Sequence, residues 1–98
     1  MRREDAIRLL KEAEPGLRAR GVISLALFGS TARDEAGPDS DVDVLVDLDM
    51  ARQPSLIDLS GMRLFIGDTL GRQTDIAIRD SLRPTYRASI EADAIRIF

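Results

Sequence analysis

The chain has 98 residues, 44% apolar and 32% charged, with a formal net charge of -3 and neither cysteine nor histidine. That is the balance of one globular domain over residues 1–98, small enough to bury only about two-thirds of its unfolded surface, so self-association or a partner has room to add stability. The charge argues against a nucleic-acid binder working through a broad basic field, no apolar run is long enough to span a membrane, and the charged N-terminus lacks the apolar core of a secretion signal, which with the missing cysteine fits a cytoplasmic protein.

Residues 3–13 place Ala6, Ile7, Leu10 and Ala13 at helical spacing, with charges elsewhere. That spacing predicts an amphipathic helix. Pro15-Gly16 interrupts it, and Pro15 suits the first position of a second short helix reaching Arg20. Gly21 ends that helix. The apolar run Val22–Phe28 reads as a buried strand. It stops at Gly29-Ser30, and Thr31-Ala32-Arg33 begins a short helix. Residues 34–39 contain Gly37-Pro38, a turn signal. In residues 41–49 every even position is apolar, the pattern of a half-buried strand. Pro54-Ser55 opens the next helix, with Ser55 and Asp58 as a capping box. Leu59, Met62, Phe65, Ile66 and Leu70 form its buried stripe, and Gly71 stops it. Residues 72–79 alternate again, Ile76 and Ile78 on one face and Asp75 and Ala77 on the other. Pro84 starts the last helix, and residues 94–98 read as a short strand. The order helix, strand, short helix, strand, helix, strand, helix predicts an α/β fold, with helices packed on a small sheet.

The chemistry concentrates between residues 27 and 49. Asp41 and Asp43 share one strand face, about 6.6 Å apart at a rise of ~3.3 Å per residue. Two such carboxylates repel, and a cation is the natural compensation. Oxygen-only ligands favour Mg²⁺ or Mn²⁺. A calcium loop is a poor alternative, because Val44 stands where that loop needs Gly and Met50 where it needs Glu. The plainer readings are a solvated strand face, which suits Asp47 and Asp49, or carboxylates guarding a sheet edge. Neither explains Gly29-Ser30. A glycine at a strand-to-helix turn lets backbone approach a ligand. The N–H groups from Ser30 onward, the Ser30 hydroxyl and the Arg33 charge then suit an anion such as a phosphate.

The stretch GSTARDEAGPDSDVDVLV resembles the signature of the minimal nucleotidyltransferases, the small prokaryotic branch of the DNA polymerase β superfamily. Gly29, Ser30, Ala32, Arg33, Ser40, Asp41 and Asp43 carry the likeness, and it extends over nearly the whole chain. The resemblance implies the mixed sheet of the polymerase β palm. It implies that Gly29-Ser30 binds nucleoside triphosphate phosphates and that Asp41 and Asp43 bind divalent metal. A third carboxylate comes from a later strand in that family, and Asp75 is the candidate here. The implied reaction moves a nucleoside monophosphate, from ATP first of all, to an acceptor hydroxyl. Proteins of this kind are often encoded beside a HEPN-domain ribonuclease toxin, which implies an antitoxin. The alternative is a module that neutralises its partner by covering it. One departure stands out. Asp34 occupies the place of the family's usual Gly after the Arg, and its charge would weaken nucleotide binding unless it turns outward.

Overall fold

A computed structural model describes all 98 residues. The strand of alternating residues, β2 (Val42–Leu48), lies inside a four-stranded sheet of order β3-β2-β1-β4. β1 (Val22–Phe28) pairs antiparallel with β2 and with β4 (Ile95–Arg96), while β3 (Thr74–Ile78) runs parallel to β2. The sheet is therefore mixed, and the C-terminal end of β1 meets the N-terminal ends of β2 and β3. The helices are α1 (Arg3–Glu12), α2 (Glu14–Ala19), α3 (Gly29–Ala32), α4 (Leu56–Leu70) and α5 (Pro84–Asp93). α4 is the crossover that parallel β2 and β3 require. No helix is long and apolar enough to cross a membrane.

The even positions of β2 build the core. Val42, Val44, Val46 and Leu48 cluster with Ala6 and Leu10 of α1, Leu17 of α2, and Met62, Ile66 and Leu70 of α4. Leu59 and Phe65 of the expected stripe are only partly buried against it. In β1 a register irregularity between Val22 and Ser24 lets Val22, Leu25 and Leu27 all face this core. It leaves Ile23 52% exposed, so the run is not buried throughout as its composition suggests. The expected C-terminal strand shortens to two residues. Its backbone pairing still continues, with Ile97 N–H donating to Leu25 O at 2.9 Å and Leu25 N–H donating to Phe98 O at 3.0 Å.

Asp47 is not the solvated residue that alternation suggests. β2 is an inner strand, so side chains from both neighbouring segments can flank its polar residues. Asp47 accepts from the Ser24 hydroxyl and, at 3.1 Å, from Arg79 Nε, and Arg79 also pairs with Glu91 of α5. Asp49 lies beyond the strand and caps the next turn, accepting from Ala51 N at 3.2 Å.

The capping box forms as expected. Ser55 N–H donates to Asp58 Oδ2 at 2.8 Å, and Asp58 N–H donates to Ser55 Oγ at 3.1 Å. Ser55→Ala should cost about 1 kcal/mol in denaturant unfolding. Acid weakens the same device. The Ser55 backbone N–H, then its hydroxyl, hold the Asp58 carboxyl below its ordinary value. A depressed carboxyl contributes stability that is complete above its unfolded pKa of about 3.9 and fades as pH falls through the lower folded one. Asp58→Asn should flatten that part of the acid limb of melting temperature against pH.

Candidate active site

Three strand ends place the site. Phe28, the last residue of β1, pairs with Asp43 across the antiparallel ladder. Asp43 in turn pairs with Asp75 across the parallel ladder. Neighbouring strands lie about 4.8 Å apart, so Gly29, Asp43 and Asp75 stand in a row across the sheet end. Asp41 sits two residues before Asp43, exposed at the entry to β2.

The Gly29 turn is built around Asp43. Gly29 has φ +74°, in the left-handed region that favours glycine. A Cβ there would overlap Asp43 Oδ2 and lie 3.2 Å from its Cγ. Glycine at position 29 is thus required twice, by the backbone and by the carboxylate pressed against it. Beyond it, α3 is a single turn closed by Arg33 N–H to Gly29 O at 3.2 Å and Glu35 N–H to Ser30 O at 2.8 Å. A helix this short has little dipole, so what it offers an anion is its first-turn N–H groups and the Ser30 hydroxyl.

Burial, then Asp75, then Asp41 push the Asp43 carboxyl above its ordinary value, and Arg33 opposes them. Asp75 and Asp41 thus both bear on Asp43. Their side chains do not close into a ligand cluster as they stand, for no three acidic groups converge at metal-holding distance. Asp75 is turned toward Arg63 Nη2, 3.8 Å away, with 58% of its side chain exposed. The backbone register nonetheless puts Asp43 and Asp75 side by side on neighbouring strands, with Asp41 two residues before Asp43. An all-oxygen donor set around a carboxyl already strained by its neighbours suits a hard divalent cation.

Arg33, expected as a phosphate ligand, is engaged elsewhere. It pairs with Glu35 at 3.1 Å and with Asp93 of α5 at 2.7 Å, fastening α3 to the last helix. It reaches Asp43 only through its field.

Asp34 answers its own difficulty. It adopts φ +59°, the conformation the family's glycine would favour. Its carboxylate turns away from Asp43 and accepts the Arg3 N–H at 3.0 Å, at the start of α1. No side chain next to α1 in sequence caps that helix; the cap comes from residue 34. Asp34→Ala keeps the left-handed cost and loses the cap, so it should destabilise by about 2–3 kcal/mol in chemical denaturation. Asp34→Gly relieves the first as it loses the second and should be nearly neutral.

Two functional candidates escaped the sequence reading. Arg63 of α4 donates to Thr74 O at 2.8 Å and stands over Asp75. Arg72 donates to Pro38 O and ties the loop before Asp41 to the start of β3. Asp41 lines a shallow hollow of about 370 Å³ with Ser40, Arg72 and Gln73. Only long-range contacts reveal these roles, and no local pattern marks either arginine.

Comparison with known proteins agrees with this fold. The family model described as a nucleotidyltransferase domain matches residues 8–97. The protein adenylyltransferase MntA of Thermococcus cleftensis is 36% identical over 95 residues, covering 96% of this chain and 94% of that protein. A Methanocaldococcus jannaschii protein, provisionally named a protein adenylyltransferase, is 38% identical over 78 residues, covering 78% of this chain and 76% of that one. A solved structure provisionally described as a minimal nucleotidyltransferase superposes with TM-score 0.79 at 35% identity, covering 97% of this chain and 95% of that one. A toxin–antitoxin structure with AMP-PNP shares the fold at TM-score 0.72 and 17% identity, covering 100% of this chain and 73% of that one.

Proposed function

This chain belongs to the nucleotidyltransferase domain family, and we propose that it moves the nucleoside monophosphate of ATP to a hydroxyl of a partner protein in the cytoplasm. The observation that carries this reading is the packing of Asp43 against Gly29 on one side and its ladder pairing with Asp75 on the other. One residue thereby joins an anion-binding turn to a group of carboxylates.

Each flank has a task. The N–H groups of the Gly29-Ser30 turn and the Ser30 hydroxyl hold the phosphates. Asp41, Asp43 and Asp75 are the residues that would hold Mg²⁺ or Mn²⁺. Such an ion would supply charge stabilisation to an in-line displacement. Asp75 lies on the flank away from Gly29, so the acceptor hydroxyl approaches there and gives its proton to Asp75. Its oxygen bonds to the α-phosphorus as the bond to the bridging oxygen breaks and pyrophosphate leaves. Asp34 leaves the phosphate side free of an added negative charge, because its carboxylate is held at α1.

The partner to test first is a HEPN-domain toxin, given the motif likeness and the shared fold with a chain seen in a toxin–antitoxin structure. Wild-type chain should relieve such a toxin in cells, and Asp41→Asn with Asp43→Asn should remove that relief while the two proteins still co-purify. Relief that survives the double change would establish neutralisation by covering instead.

A further inference from the structure

The three carboxylates of the site differ in what holds them. Asp43 packs against Gly29, and Asp41 stands exposed just before β2. Asp75 has a cation of its own. Arg63 projects from α4, and its Nη2 lies 3.8 Å from Asp75 Oδ1. Its Nε donates to Thr74 O at 2.8 Å. Thr74 is 2% exposed, so this bond ties the guanidinium to fixed backbone one residue before Asp75. A planar guanidinium tied through one N–H keeps its other donors aimed.

The pair reaches around the edge of the sheet. Asp75 is in register with Asp43, so the two side chains leave their strands on the same face. Thr74 and Ile76 are in register with Val42 and Val44, which face the core beneath α4. Arg63 belongs to that helix layer. β3 is an outer strand, and the Asp75 carboxylate bends past its open side. It lines the groove between α4 and β3 together with Arg63 and Ile76. Asp75 thus starts on the face of Asp43 and ends beside the helix. The bend takes one carboxylate away from another in a strand pair about 4.8 Å apart.

We propose that Arg63 is a positioning residue for the metal site, holding the Asp75 carboxylate around the sheet edge until Asp75 exchanges the guanidinium for a divalent cation gathered by Asp41 and Asp43. The inference rests on the carboxylate site proposed above. It explains why three acidic residues placed together by register do not converge. Asp75 cannot serve both partners, because reaching Arg63 turns it from Asp43. Exchange leaves Asp75 facing a cation in either state, so it never meets Asp43 uncompensated. The Thr74 bond does not involve the carboxylate and survives the exchange. The guanidinium therefore stays at the edge, ready to take Asp75 back. An ion pair with both side chains 58% exposed is weak, which suits a hold that must be broken.

The test uses Mn²⁺ alone, with the free ion counted by electron paramagnetic resonance, so neither nucleotide nor turnover enters. Asp43→Asn should weaken Mn²⁺ about tenfold or more. Arg63→Gln should tighten it about two- to fivefold. Tightening is the sign that distinguishes a hold on Asp75 from support of the fold, whose loss would weaken the site. Asp75→Asn should weaken Mn²⁺, and in that background Arg63→Gln should change nothing, since the hold has no carboxylate to act on. A gain that persists with Asp75→Asn would show the arginine charge acting through space and would overturn the proposal. Unchanged or weaker binding by Arg63→Gln, with Asp43→Asn still impaired, would overturn it while leaving the carboxylate site standing. Binding that Asp43→Asn leaves intact would overturn the carboxylate site itself, and this inference with it.

Discussion

Asp43→Asn is expected to lower nucleotidyl transfer by about 10³-fold or more, while the protein melts no lower than wild type. The first part follows from the charge stabilisation of several kcal/mol that a carboxylate-held cation gives such a displacement, at about 1.4 kcal/mol per tenfold in rate. The second follows from the environment. Burial, Asp75 and Asp41 raise the Asp43 carboxyl, so ionising it at neutral pH opposes folding. A group with a raised folded pKa gives its full stability below its unfolded pKa and loses it as pH rises through the folded value. Asparagine removes that charge and keeps the shape. A carboxylate kept where it weakens the fold is the mark of a functional demand. Rate measurement and a thermal melt on the same sample check both halves. An active variant, or one that unfolds, contradicts the role assigned to Asp43.

Gly29→Ala should cost about 2–4 kcal/mol of stability, from a left-handed backbone and a Cβ forced into a filled space. The overlapping group is the Asp43 carboxylate itself, so transfer should also fall, by about 100-fold for a displacement on the order of 1 Å. A double-mutant cycle separates the terms. In an Asp43→Ala background the overlap is gone and the backbone cost alone remains, so Gly29→Ala should be milder there. Denaturant unfolding of the four proteins reads this directly, and strictly additive costs would show that the two residues do not press on each other.

What the sequence made legible was local. The capping box at Ser55 and Asp58, the helix start at Pro84, the turn at Gly29 and the alternation of β2 each need only neighbours in the chain, and each is present. The mixed sheet and the nucleotidyltransferase family, expected from the resemblance, are also found. Illegible features depended on which segments meet. Asp47 looked solvated until β2 proved to be paired on both sides. The outward turn of Asp34 depends on Arg3, 31 residues away. Leu59 and Phe65 read as part of the buried stripe of α4, yet they are only partly buried against the core. Arg33 carries the charge a phosphate wants, but Glu35 and Asp93 hold it.

Nucleotidyl transfer through Asp41, Asp43 and Asp75 is the activity proposed for this chain. Its most direct test is the intact mass of the protein encoded beside it, taken after incubation with the chain, ATP and Mg²⁺. The expected result is a gain of one or more adenylyl units, absent with Asp41→Asn/Asp43→Asn. An unchanged mass with a correctly folded wild-type chain, or a gain that persists in the double variant, would contradict it.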